Sequence, residues 1–427
     1  MPSLSKVFCA MHSFLTAVSV QFGPHFAKNI SPLKELFSAD TAWNINASRW
    51  GIFQAAVTLA SAIFPWLIGH RVDSKTPAKT VLVNALILCC MGQVVFILGC
   101  TDTSLPLAYL GRFVFGIGEG LASALSGYIA FRYLPAHNMF AMGLIQSFHA
   151  LAVATSKAFL IPIANTFGGY VTSLIFALLL CVLSLLSALL WKPRSPQHQI
   201  PTVSPRTWKL YARGSRGRLS PDFWIVACMH LLFSSAHRLF GHIDAPFLRM
   251  RFGESLSAAG YMSSVTEFTA VVVSPLLGAL LDKYCTVHTL PILLLLAAGT
   301  GAIGYGVLAW ADEGEWFVPA TGLLLIGIVN GMTPTVMKCV VPETVDQSVL
   351  ATAFGVYESS ESIGVMTGAI LIGLVAERAK DNYSSCVPVF CLILVTAGFL
   401  SIALITRRTT GVGRSDIEVE HPLVSYG

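Results

Sequence analysis

Four glutamates stand inside otherwise apolar stretches that are long enough to cross a bilayer, namely Glu119, Glu267, Glu358 and Glu361. A charged side chain at the bilayer centre costs about 2.5 to 3.5 kcal/mol on insertion scales, so each of them needs a partner or a ligand. Glu358 and Glu361 are three residues apart and share a helix face, which suits a substrate amine or a shared proton. The alternative is a hydrogen-bonded pair inside a helix bundle.

Basic side chains lie in the same apolar stretches and could bind the opposite charge. Arg238 is the best candidate for a substrate carboxylate, because a guanidinium meets a carboxylate in a two-pronged geometry. Its alternative role is a structural pair with Glu267. Lys157 lies near the end of its stretch, where a long side chain can reach the interface instead of binding a ligand.

Two roles are also open for Glu119, which could bind an amine or pair with Arg112 two helical turns earlier. Gln146, His149 and Asn330 are expected to reach the same depth and to join the substrate site. The histidine could carry a coupling proton, although a lone buried histidine is more often simply hydrogen-bonded.

The composition defines the class of protein that must position these residues. Of 427 residues only 11% are charged and 54% are hydrophobic, with a mean hydropathy of +0.69. A soluble protein of this size averages about 25% charged residues, so a soluble enzyme is excluded. The chain reads as an all-α membrane protein.

A span takes about 20 apolar residues, and twelve such spans can be drawn. They cover residues 5–28, 49–69, 79–100, 105–133, 137–164, 168–191, 222–246, 255–281, 287–310, 316–340, 347–376 and 385–406. We expect four parts: an N-terminal six-helix bundle (1–191), a basic cytosolic linker (192–221), a C-terminal six-helix bundle (222–406) and a polar cytosolic tail (407–427).

The loops predict the orientation. Most loop Lys and Arg residues, with Lys338 counted among them, fall on the side of the two termini, which is cytosolic by the positive-inside rule. Three glycosylation sequons, at Asn29, Asn46 and Asn382, fall on the other side. The basic linker is expected to meet anionic lipid headgroups and not nucleic acid.

The ten cysteines include no Cys-x-x-Cys pair, so the sequence predicts no metal site and no cofactor. A bridge between Cys100 and Cys386 is an open possibility, because both approach the non-cytosolic face. The chain has no His-Glu-x-x-His or Gly-x-Ser-x-Gly pattern, which argues against an intramembrane enzyme.

The two halves repeat each other at a nearly constant offset of about 210 residues. Three matches occur in the same order: Gly69-x-x-x-Asp73 with Gly278-x-x-x-Asp282, Gly116 to Gly120 with Gly327 to Gly331, and Ala141-Met142-Gly143 with Ala353-Phe354-Gly355. Duplicated six-helix units are the architecture with which transporters alternate access to a midplane site. We expect Asp73, Lys75, Asp282 and Lys283 to form conformational latches on the cytosolic face.

These motifs resemble a known superfamily. The two Gly-x-x-x-Asp turns and Arg112-x-x-x-Gly116-x-Gly118 resemble signatures of the major facilitator superfamily, although Thr76-Pro77 departs from the first turn. Five further segments resemble the lysosomal dipeptide transporters within it: Gly92 to Phe96, Arg112 to Gly118, Ser274 to Lys283, Val341 to Glu343 and Thr352 to Gly355.

The resemblance implies two pseudo-symmetric six-helix bundles and a lysosomal uniporter that exports dipeptides, stabilised by a glycosylated single-pass accessory subunit. Two departures favour a more acidic cavity. His149-Ala150-Leu151 stands where that family has a basic residue, and Glu358 and Glu361 stand where it tends to have amides.

We therefore expect a dipeptide or similar amino compound as substrate, with its amine held by Glu119, Glu358 and Glu361 and its carboxylate by Arg238. Two alternatives stay open: a proton-coupled carrier of organic cations or basic amino acids, and a receptor or scaffold that transports nothing.

Overall fold

In the computed structural model, the described residues form twelve long helices that follow one another along the chain. It describes residues 4–40, 45, 47–74, 76–133, 138–192, 219–284, 289–312, 317–378 and 384–419, and every regular element in these ranges is helical. Lys75, Asn46, Asn382, most of the predicted linker and the end of the predicted tail lie outside the described residues.

The N-terminal half contains α1 (Leu4–Lys28), α2 (Ala47–Ser74), α3 (Ala78–Thr101), α4 (Leu105–Tyr133), α5 (Asn138–Phe167) and α6 (Tyr170–Leu190). The C-terminal half contains α7 (Pro221–Phe252), α8 (Leu256–Tyr284), α9 (Thr289–Trp310), α10 (Phe317–Thr344), α11 (Leu350–Arg378) and α12 (Val387–Val419). A short helix, Lys34–Ala39, follows α1. The predicted all-α fold of two six-helix bundles is confirmed.

Length and composition qualify eleven helices of the described chain to cross a membrane. The first helix, α1, has 25 residues. Its second half carries Gln21 and His25, and both side chains are buried within the protein. These two side chains therefore face other helices.

Several helices run further than their predicted spans. Helix α7 continues to Phe252, because Gly253 is the first residue to adopt the left-handed conformation (φ 70°) that ends a helix. Helix α10 ends at Thr344 and α12 at Val419, which extends α12 into the predicted polar tail. In that extension Arg408 is buried and contacts Glu343 at 3.3 Å.

The repeat in the sequence appears as a repeat in structure. Asp73, at the end of α2, accepts hydrogen bonds from the first backbone N–H groups of α11, at Ala351 (2.9 Å) and Thr352 (2.7 Å). Asp282, at the end of α8, accepts hydrogen bonds from the backbone N–H groups of Met139 (3.1 Å) and Phe140 (3.0 Å) at the start of α5. Each half thus caps a helix of the other half. We call this end of the bundle the latch end.

Close helix contact supports these caps. A Cβ on Gly69 would lie 2.5 Å from the Ala351 carbonyl oxygen, and one on Gly278 would lie 2.6 Å from that of Met139. Both distances are impossible for a real side chain. Glycine is therefore required where the two halves meet at the latch end.

Candidate functional site

A cavity of about 580 Å³ lies between the two halves. We call it the central cavity. Its wall is formed by His25, Lys28, Asn29, Thr58, His149, Val153, Lys157, His237, Arg238, Gly241, His242, Glu267, Glu361, Ser362 and Val365. Both halves contribute charged side chains to it, as a site between pseudo-symmetric repeats requires.

A second cavity of about 640 Å³ lies at the end of the bundle opposite the latches. We call it the outer chamber. Its wall includes Ser31 and Glu35 after α1, Pro162 of α5, Asp244 of α7 and Tyr261 of α8. Lys157 and His242 line both cavities, so these two side chains stand where the cavities adjoin. The central cavity is therefore approached from the end opposite the latches.

Arg238 and Glu361 form the centre of one ion-pair network on the C-terminal half. Arg238 Nε donates to Glu361 Oε1 at 3.2 Å, and the other carboxylate oxygen lies 3.3 Å from His230 Nε2. Ser234 Oγ also donates to that oxygen, at 3.3 Å. Both Arg238 and Glu361 line the central cavity, so a ligand there can contact either charge.

Lys157 forms the centre of a second network that joins the halves. Its ammonium lies 2.6 Å from Asp244 Oδ2 on α7 and 3.8 Å from Glu267 Oε1 on α8. The second oxygen of Glu267 accepts a hydrogen bond of 2.8 Å from Asn330 on α10. Lys157 is 4% exposed. It does not extend to the interface, and Glu267 does not pair with Arg238; both alternatives from the sequence are wrong.

Glu119 belongs to a third network, on the N-terminal half. Its Oε1 lies 2.9 Å from Lys28 Nζ and 3.4 Å from His25 Nδ1, and its Oε2 accepts a hydrogen bond from Ser61 at 3.1 Å. Lys28 and His25 line the central cavity and Glu119 does not. Glu119 therefore contacts two residues of the cavity wall without lining the cavity itself.

Arg112 is not the partner of Glu119. The fully buried guanidinium donates hydrogen bonds to the carbonyls of Ala27 (3.0 Å) and Lys28 (2.7 Å), the last residues of α1. It thereby satisfies carbonyls that the end of a helix leaves without partners. Phe96 and Phe115 contact it through their rings, at 5.3 and 5.5 Å. Arg112 therefore has a structural role, because it stabilises the end of α1.

Of two predicted site residues on α5, one lines the central cavity and the other does not. His149 lines the central cavity and stacks on His25, with ring centroids 3.7 Å apart. Gln146 is buried but does not line the cavity, and within the described part of the chain its Nε2 has no hydrogen-bond partner.

Glu358 is also separated from the cavity. It is buried and lies 3.6 Å from Lys338 Nζ on α10, whereas Glu361, one turn later, faces the cavity. The geometry therefore does not support the prediction that Glu358 and Glu361 bind one amine together. Lys338, counted above as a loop charge, is buried within α10 because that helix continues past it.

The remaining predicted residues lie at the two ends. Asp73 and Asp282 cap helices as described, and the ammonium of Lys283 lies 4.9 Å above the ring of Tyr284. Asn29 is 7% exposed and its amide donates to Ser156 Oγ at 2.7 Å. That amide is inaccessible to a glycan in this conformation.

Cys100 and Cys386 are both free thiols, and the structure contains no bridge between them. Burial raises the pKa of the Cys386 thiol, which lies in the turn before α12. Across the described ranges, no three His, Cys, Asp or Glu side chains are grouped closely enough to hold a metal ion.

Sequence reasoning missed three charged residues of these networks, Lys28, Asp244 and Lys338. Lys28 is the last residue of its predicted span and Asp244 lies two residues before the end of its own, where a charge is expected to reach water. The sequence feature that could have revealed Asp244 is the largely apolar stretch after it, which allows α7 to extend by two further turns.

Two bundles of six helices, mutual helix caps and a charged cavity between the halves define a secondary transporter fold. The sequence profile of the Major Facilitator Superfamily matches residues 13–369. The chain belongs to this superfamily, which is a superfamily of transporters and not a class of enzymes.

Two known proteins are similar to this chain over most of its length. The chain is 23% identical to the human lysosomal dipeptide transporter MFSD1 over 399 residues, covering 90% of this chain and 83% of that protein. The cattle protein of the same name is 22% identical over 398 residues, covering 90% and 82%.

Solved structures support the fold. The human organic anion transporter MFSD10 superposes with a TM-score of 0.72 at 16% identity, covering 94% of this chain and all of that one. The fucose:proton symporter FucP of E. coli gives a TM-score of 0.65 at 14% identity, covering 92% and 98%.

Proposed function

We propose that the protein transports small amino-containing solutes, dipeptides in the first place, across an endolysosomal membrane by uniport. The observation that carries the proposal is a central cavity of about 580 Å³ that presents an arginine and two carboxylates together. A dipeptide is a zwitterion with one carboxylate and one ammonium group. A dipeptide substrate is also supported by the similarity of the chain to the dipeptide transporter MFSD1.

The charges of the cavity wall support a proposed partner for each end of such a solute. Arg238 binds the carboxylate, because its Nε alone is engaged by Glu361 and the rest of its fork is available to the cavity. Glu361 and Glu267, which line the cavity, attract the ammonium. Glu119 and Glu358 support the site from behind, through Lys28 and Lys338.

Alternating access follows from the two ends of the bundle. Asp73 and Asp282 hold the halves together at the latch end while the outer chamber leads to the central cavity from the other end. Release of these caps and closure of the outer chamber would expose the same site to the opposite side.

Placement in the cell is part of the proposal. Cytosolic termini would put the latch end in the cytosol and the outer chamber in the lumen. Placement in the lysosomal membrane is supported by the similarity of the chain to MFSD1, a lysosomal transporter. A glycosylated single-pass accessory subunit and anionic lipid at the basic linker are the proposed partners.

The test is uptake of radiolabelled dialanine by proteoliposomes that contain the full chain. We expect saturable uptake that a tenfold excess of unlabelled dipeptide suppresses and that Arg238→Gln abolishes. Folded protein without flux of any amino solute would overturn the proposal and favour a receptor.

A second candidate is a proton-coupled carrier of organic cations or basic amino acids. The observation in its favour is the pair of carboxylates in the wall of the central cavity, Glu267 and Glu361, because carboxylates attract organic cations and can accept a proton. Uptake would then collapse when the pH gradient is dissipated and after Glu361→Gln. A uniporter would be insensitive to the gradient.

A further inference from the structure

Lys157 lies between two carboxylates, and its single positive charge cannot neutralise both. Asp244 is 2% exposed, Lys157 4% and Glu267 6%, so the three groups are buried together. Removing a carboxylate from water is costly unless a positive charge compensates it. With both carboxylates ionised, the trio carries one negative charge in excess.

The other two cations in the wall of the central cavity, Lys28 and Arg238, each pair more closely with a different carboxylate. Among the residues that line the central cavity, Lys28 is 2.9 Å from Glu119 and Arg238 is 3.2 Å from Glu361. Each of these cations already has a carboxylate of its own. The excess charge therefore remains at the trio.

The two carboxylates still have capacity to accept hydrogen bonds. Asp244 Oδ1 accepts from the N–H of Ala245 and Oδ2 from Lys157, while Glu267 Oε2 accepts from Asn330. Glu267 Oε1 is 3.8 Å from Lys157 Nζ, which is beyond hydrogen-bond distance. This oxygen belongs to a residue of the cavity wall.

The position of the trio makes it accessible to a solute. Asp244 lines the outer chamber, Glu267 lines the central cavity and Lys157 lines both. Gly241 lies beside the lysine ammonium, since a Cβ there would be in ordinary van der Waals contact with Nζ at 3.8 Å. A solute that passes from one cavity to the other must pass these charges.

A separate observation points to a ligand at the same wall. His237 lies two turns before Asp244 on the same face of α7 and lines the central cavity. Its side chain is buried, and its Nε2 has no hydrogen-bond partner among the residues that the structure describes. An unpartnered buried polar atom is costly, so a ligand group that bonds to it would be stabilised.

We propose that Asp244 and Glu267 form a subsite for a protonated primary amine, with Lys157 as the competing occupant when the cavity is empty. This inference rests on the proposed function, in that the amine belongs to the transported solute. An ammonium carries one positive charge and three N–H donors, which match the excess charge and the open acceptor of Glu267. Arg238 would then bind the carboxylate at the other side of the cavity.

The experiment compares three probes on purified full-length protein by thermal stabilisation: dialanine, N-acetyl-dialanine and butylammonium. We expect the wild type to bind dialanine about tenfold or more tightly than the acetylated peptide, since charged hydrogen bonds are lost on acetylation. Asp244→Asn should reduce this preference to about twofold and abolish stabilisation by butylammonium. Asp244→Glu should restore both.

Glu35→Gln is the matched control, because Glu35 lines the outer chamber but pairs with Arg249. It should leave the amine preference unchanged. Asp244→Asn should also keep or raise the melting temperature of the ligand-free protein, since Lys157 retains Glu267.

Two results would overturn the subsite. If Asp244→Asn retains the full preference for the free amine, the amine binds elsewhere. If it lowers the melting temperature and the probes still discriminate, Asp244 merely holds Lys157 in place. Failure of the proposed function is a different outcome: no dipeptide would bind, while butylammonium stabilised the wild type and not Asp244→Asn.

Discussion

Asp73 and Thr352 are joined by two hydrogen bonds although 279 positions separate them in the chain. The Asp73 carboxylate accepts the backbone N–H of Thr352 at 2.7 Å and its hydroxyl at 2.6 Å. One residue ends α2 and the other begins α11, so the contact holds the two halves together at the latch end. Asp282 makes the corresponding contact to α5.

Asp73→Ala should weaken closure of the latch end. Loss of a helix cap costs about 1 kcal/mol, which corresponds to about a fivefold shift in a two-state equilibrium. The outer chamber would be open for a smaller fraction of the time. The measurement is the rate of thiol labelling after Ser263→Cys, resolved by mass spectrometry, because Ser263 lines the outer chamber.

Asp222→Ala is the control for this variant. Asp222 pairs with Arg407 within the C-terminal half and does not join the halves. It should leave the labelling rate at position 263 unchanged. Equal effects of the two variants would show that Asp73 has no special role in closure.

Gly355→Val should act on the same equilibrium by steric exclusion. A Cβ at Gly355 would collide with the backbone of Pro65, because α2 and α11 touch there. The halves could no longer close at the latch end, and labelling at position 263 should slow more than after Asp73→Ala. Gly306→Val is the matched control, since nothing lies within 4 Å of a Cβ at that position. If both valine variants label at the wild-type rate, the latch end does not close by this contact.

Glu119→Gln should destabilise the protein without changing which solutes bind. Removal of one partner from a buried pair leaves Lys28 without a carboxylate and costs about 3 kcal/mol. The double variant Lys28→Met with Glu119→Gln should recover part of the lost melting temperature. The check is the melting temperature of all three variants together with the ranking of a dipeptide library. A changed ranking with unchanged stability would place Glu119 in direct contact with the solute.

Arg238→Lys should weaken binding although the charge is kept. Lysine lacks the planar fork of the guanidinium, and the loss of one charged hydrogen bond corresponds to about a tenfold rise in the dissociation constant of dialanine. The dissociation constant of butylammonium should stay within about twofold, because that probe has no carboxylate. Titration of both probes against the purified variant decides the matter. Equal weakening of both would argue that Arg238 acts through the shape of the cavity.

The repeat allowed much of the fold to be predicted. A constant offset between Gly69 and Gly278, each followed by an aspartate, placed both latches at one end of the bundle, and the structure shows both as helix caps. Such a prediction works because duplicated units impose equal geometry on equal sequence positions.

Charge partners could not be predicted in the same way. Hydropathy gives the depth of a residue in the bundle and not the direction of its side chain, so Glu119 was considered with Arg112 and Glu267 with Arg238. Their actual partners, Lys28 and Lys157, are brought close by helix packing between elements distant in sequence. Asp244 was overlooked because the predicted end of α7 lay two residues after it.

The claim that the central cavity is the transport site is tested most directly by dialanine uptake into proteoliposomes. The uptake by the Glu361→Gln variant is compared with that by the Glu343→Gln variant. Both variants neutralise a carboxylate that pairs with an arginine, but only Glu361 lines the central cavity, whereas Glu343 lies near the latch end of α10. We predict about a tenfold or greater loss of uptake for Glu361→Gln and near wild-type uptake for Glu343→Gln. Equal uptake by Glu361→Gln and the wild type would contradict the assignment of the central cavity as the transport site.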